Sequence, residues 1–109
     1  MKTVDGLSIE IDVLRKEIEA APRDKKLIKR NTQKIRYISG VKRYLETNPR
    51  RAFIEEMKES IERRIKLFGL EYEKFTDEEK KKRPLKLYEK EMGITELRPK
   101  LKTLKYILH

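Results

Sequence analysis

The chain has 109 residues, no cysteine and one histidine, His109. That length suits one domain, and the missing cysteines exclude disulfides and thiolate ligation of a metal. Charged residues make up 44% and apolar residues 37%, which favours helices with a narrow apolar stripe over a parallel sheet buried on both faces.

The net charge of +10 is unevenly placed. Residues 1–21 sum to −2, residues 22–48 to +7, residues 49–75 to +1 and residues 76–109 to +4. A field of this kind attracts nucleic acid or another anionic partner. No apolar run reaches the ~18 residues of a membrane helix, and no apolar leader stands at the N-terminus. A cytoplasmic, intracellular protein without membrane contact is expected.

The first predicted helix covers 7–21. Leu7, Ile11, Leu14, Ile18 and Ala21 follow a heptad seam, widened by Ile9 and Val13, with Asp5 or Ser8 as the N-cap. The alternation from Leu7 to Val13 also matches a strand, but the pattern continuing through Ile18 favours helix. Pro22 ends it.

The second helix covers 24–47, with Asp24 as its cap. Leu27, Ile28, Asn31, Ile35, Ile38, Leu45 and either Val41 or Lys42 share one side. Asn31 reads as a boundary residue reaching solvent, or as a register-fixing polar residue in a seam. The other side carries Lys25, Lys26, Lys29, Arg36 and Arg43, with Gln33, Tyr37, Gly40 and Tyr44 among them.

Asn48 and Pro49 read as the N-cap and first residue of a third helix over 49–75. Its stripe is Ile54, Met57, Ile61, Ile65, Phe68, Tyr72 and Phe75, and its wet side offers the pairs Glu59–Arg63 and Glu62–Lys66. Leu67, Gly69 and Leu70 break the pattern, marking an end, a bend or a second contact surface.

Short helices are expected within 77–108. Thr76 and Glu79 form a capping box, Gly93 is placed as a C′ residue, and Thr95 caps a last helix with Pro99 in its first turn. Leu97, Leu101, Leu104 and Leu108 form that helix's stripe. The turn Gly93-Ile94-Thr95 resembles that of a helix-turn-helix, although Glu89 stands where such motifs place a small residue and Pro99 where they bury an aliphatic one.

These elements predict an all-α protein with a single helical domain over 1–109. It would be a long, coiled-coil-like antiparallel hairpin of 24–47 and 49–75, with an N-terminal helix and two or three short C-terminal helices. Ser8, Ser39 and Ser60 have no base nearby in sequence, and the phosphate-binding glycine loops are missing. No catalysis, cofactor, metal or small-molecule substrate is expected. The expected function is a small, basic, non-enzymatic protein that binds DNA or RNA. Phosphates would be contacted by Lys25, Lys26, Lys29, Arg36, Tyr37, Arg43 and Tyr44, and by the run Lys80, Lys81, Lys82 and Arg83. The alternative is a helical adaptor or structural subunit whose apolar stripes form a homo-oligomer or hold a helical partner.

Overall fold

A computed structural model describes all residues from Met1 to His109. The chain is all-α, with six helices in the order α1 (Val4–Ala20), α2 (Lys25–Thr47), α3 (Arg51–Glu73), α4 (Asp77–Lys82), α5 (Leu85–Glu91) and α6 (Ile94–Leu108). They fall into two compact units, Met1–Arg50 with His109, and Arg51–Leu108. Helices α2 and α3 belong to different units, and each is described below with the partner inside its own unit. No helix is long and apolar enough to cross a membrane.

In the first unit α1 packs along α2. Its N-cap is Thr3, whose side chain accepts from the Gly6 amide. Asp5 and Ser8, the expected caps, lie inside the helix, and the Ser8 hydroxyl donates to the Val4 carbonyl. The extended backbone of Thr3 meets the requirement for a cap, and its oxygen satisfies an amide that the first turn leaves open. The turn Ala21–Asp24 then folds the chain back. Asp24 caps α2 by accepting from the Leu27 amide at 3.1 Å. So short a connection produces an antiparallel pair.

Leu7 and Ile11 of α1, and Ile38, Val41 and Leu45 of α2, are buried. Ile9 and Val13 do not widen the stripe as expected; they are 63% and 50% exposed. A pair of helices needs one seam on each, and Leu7, Ile11, Leu14 and Ile18 already supply it.

Asn31 corrects the reading of a solvent-facing residue, because it is 1% exposed. Its side-chain amide donates to the Leu14 carbonyl at 3.2 Å and to the Glu17 carboxylate at 2.8 Å. Both bonds reach α1. A buried amide is costly unless bonded, and this one is bonded across the turn.

Asn48 is a second correction. It closes α2, with its backbone amide and its side-chain amide both donating to the Tyr44 carbonyl. The Thr47 hydroxyl takes the Arg43 carbonyl at 2.7 Å. With Asn48 serving the Tyr44 carbonyl in the last turn of α2, α3 begins later, at Arg51, and Pro49 lies outside it.

In the second unit α3 packs along α6, and α5 packs against α6. Ile54, Ile61, Phe68, Ile94, Leu104 and Ile107 are buried. Gly69 does not stop α3, which runs to Glu73, while Leu67 and Leu70 stay exposed on it. The expected pairing of Glu62 with Lys66 is replaced: Glu62 meets Lys58 at 3.5 Å and Lys105 of α6 at 4.0 Å. Across α5 and α6, Glu89 meets Arg98 at 3.2 Å, a use that fits a carboxylate rather than the small residue of a helix-turn-helix.

The capping box of α4 is complete, with Thr76 and Glu79 each accepting from the other's backbone amide. Gly93 has a φ of +74°, a left-handed conformation that a side chain disfavours. Helix α6 starts directly after it, at Ile94, so Thr95 is inside the helix rather than its cap. Pro99 consequently sits in the second turn, and it offers no N–H to the Thr95 carbonyl.

The Asn31 bridge yields a stability prediction. Asn31→Ala should lower the free energy of unfolding in urea by about 1–3 kcal/mol, the cost of losing a bonded group at a buried polar position. A variant as stable as the parent would show that the bridge adds nothing.

Candidate nucleic-acid interface

The basic face of α2 follows from helical spacing. At 100° per residue Lys25, Lys29, Arg36 and Arg43 fall within an arc of about 40°, along roughly 27 Å of helix. All four are exposed, as is Lys26 on the flank. The ion pairs lie elsewhere: Lys2–Glu10, Arg51–Glu55, Lys58–Glu62, Arg98–Glu89 and Lys105–Glu62. None of them engages a cation of this face. Tyr37 is 37% exposed and Tyr44 is half-buried, so both rings stand on the flank between the cations and the buried seam.

Gly40 lies on the same face, between Arg36 and Arg43. A Cβ built there would meet nothing within 4 Å. The backbone is therefore bare towards the Arg43 end of the basic face, with room above it.

One end of this face opens into a cleft between α1 and α2. Ser8, Ile11, Asp12 and Arg15 line it from α1, and Ser39, Lys42, Arg43 and Glu46 from α2, around a volume of about 320 Å³. Arg43 belongs to both the basic face and the cleft. Sequence reasoning missed Arg15 and left Lys42 as a possible seam residue. Val41 takes the seam, at 2% exposure, and Lys42 turns to the cleft. No periodic signal marks Arg15, which stands on a segment of net charge −2.

The run Lys80–Arg83 lies in the second unit, on α4 and its C-cap. Two of its cations rest on aromatic rings. Lys80 Nζ is 5.7 Å from the centroid of Tyr72, and the Arg83 guanidinium is 5.8 Å from that of Tyr88. Those rings belong to a cluster with Phe68 and Phe75, at centroid separations of 5.3–6.3 Å. The Tyr72 hydroxyl also donates to the Arg83 carbonyl at 2.9 Å. Lys80 and Arg83 thus hold α4 to the unit through cation–π contacts, while Lys81 and Lys82 are exposed. Lys80 is half-buried and Arg83, like Lys81 and Lys82, is exposed; the ring contacts set Lys80 and Arg83 apart from the other two.

No family model matches this chain, and neither the curated proteins nor the solved structures contain a significant match to it.

The open space at Gly40 gives a second prediction. Gly40→Ala should raise stability by about 0.5–1 kcal/mol, because alanine restricts the unfolded helix segment and meets no obstacle. Thermal unfolding followed by circular dichroism checks this, and a lowered Tm would contradict it.

Proposed function

We propose that the protein is a small, basic, non-enzymatic nucleic-acid-binding protein. It contacts backbone phosphates through the outer face of α2, and Lys81 and Lys82 of the second unit offer phosphate contacts of their own. The observation that carries this reading is the line of exposed cations Lys25, Lys29, Arg36 and Arg43, with no carboxylate paired to any of them. Such a line neutralises successive phosphates and releases their counterions, whatever the base sequence. Tyr37 and Tyr44 supply hydroxyls for phosphate oxygens or rings for stacking. The proposal covers DNA and RNA alike, since phosphate contacts carry no sequence information.

The test is a salt titration. A variant with Lys26, Lys29, Arg36 and Arg43 all changed to Glu should lose measurable binding to a labelled duplex and a single strand. Single Lys→Ala changes at positions 26 and 29 should each reduce the slope of log K against log salt by about 1. Binding by the fourfold variant equal to that of the parent would exclude this face.

A second reading is favoured by a different observation. Leu67, Leu70, Leu85, Leu87 and Met92 of the second unit are each 44–59% exposed. Leu67 and Met92 line one shallow pocket together with Phe68 and Ile94, and apolar surface gathered in this way supports a helical adaptor or a self-assembling structural subunit. Sedimentation over a wide range of concentration tests it: a constant monomeric mass removes self-assembly, while a mass rising with concentration and lowered by Leu67→Ser with Leu70→Ser supports it.

A further inference from the structure

The α1–α2 cleft differs in chemistry from the face it adjoins. The charges of the face are all positive. The cleft sets Arg15, Lys42 and Arg43 together with Asp12 and Glu46, over the apolar side chain of Ile11. These opposite charges share one cleft, yet they close no ion pair with one another. Carboxylates are unsuited to a phosphate. They are suited to a group that donates hydrogen bonds.

We infer that this cleft receives an unpaired base, cytosine or adenine, of a strand whose phosphates run along α2. The inference rests on the nucleic-acid reading above. Cytosine and adenine each present an exocyclic amino group beside a ring nitrogen. Asp12 or Glu46 accepts from the amino group, and Arg15 or Lys42 donates to the ring nitrogen. The Ser8 oxygen retains acceptor capacity beyond the bond its proton makes to the Val4 carbonyl. Ile11 gives the base an apolar surface to lie on. Arg43, common to face and cleft, meets the phosphate of the same nucleotide.

The size agrees with one base. Ligand pockets run from about 300 to 1,000 Å³, and the cleft of about 320 Å³ is at the lower end. A base in duplex has its pairing edge occupied, so the cleft selects single strands. Readout of splayed, unpaired bases is a common mode of sequence-specific RNA recognition.

Charge gives this inference an unusual test. The double variant Asp12→Asn with Glu46→Gln removes two negative charges from a protein that binds an anion. If the cleft acts by charge alone, binding of every strand tightens or stays level. If its carboxylates accept from the base, binding of amino-bearing strands weakens although the protein has become more positive. Fluorescence anisotropy with labelled oligo-dC, oligo-dA and oligo-dT at one fixed low salt reads the difference. The parent should favour dC and dA over dT by about tenfold, in the lower part of the range for one good base contact. The double variant should lose that preference while still binding dT. Equal affinity for the three strands in the parent, or an unchanged preference in the variant, overturns the inference and leaves the phosphate-binding reading intact. Failure of the parent to bind any of the three strands overturns both. Circular dichroism of the variant, whose changes are isosteric and in an open cleft, guards against misfolding as the cause.

Discussion

The Asn31 amide decides how the first unit is assembled. Two antiparallel helices with narrow aliphatic seams are free to rotate about their axes, since methyl groups pack at many angles. A buried amide is not so tolerant. It is satisfied at one rotation of α2, where it reaches both the Leu14 carbonyl and the Glu17 carboxylate. Other rotations leave it desolvated without a partner, at a cost of about 1–3 kcal/mol. The polar residue thus selects an arrangement that the aliphatic seam only permits.

That selection reaches the opposite side of the helix. Because α2 is rigid, fixing Asn31 towards α1 turns Lys29, Arg36 and Gly40 to the outside. It also turns Ser39 and Lys42 towards the edge where α1 supplies Asp12 and Arg15. One hydrogen-bonding residue on the inner side therefore positions both the basic face and the cleft beside it. Caps complete the frame. Asp24 sets where α2 begins, and Asn48 with Thr47 sets where it ends.

The helical class and much of the cap chemistry were legible in the residues, because both depend on local rules. Asp24, the Thr76–Glu79 box and Gly93 act through neighbours within four positions, which spacing alone reveals. Asn48 misled for a related reason: its side chain suits either end of a helix, and the choice turned on whether it served the carbonyls behind it or the amides ahead. Partner choice was less accessible. Glu62 has lysines at both i−4 and i+4, and a third on α6, so spacing gave no way to foresee that Lys58 and Lys105 would meet it rather than Lys66. Arg15 was out of reach altogether, since membership of the cleft depends on how α1 lies against α2. The division of the Lys80–Arg83 run had the same origin, in rings brought from α3 and α5.

The unpaired cations of α2 have a thermodynamic consequence. Residues 22–48 carry a surplus of seven positive charges, and folding draws several of them into one line. Their mutual repulsion opposes the compact state and is screened over about 10 Å at 0.1 M salt. An anion that settles on the face removes that repulsion and binds the folded chain in preference to the unfolded one. Association of any such anion would be coupled to folding, and the folded chain would gain stability as the face is filled.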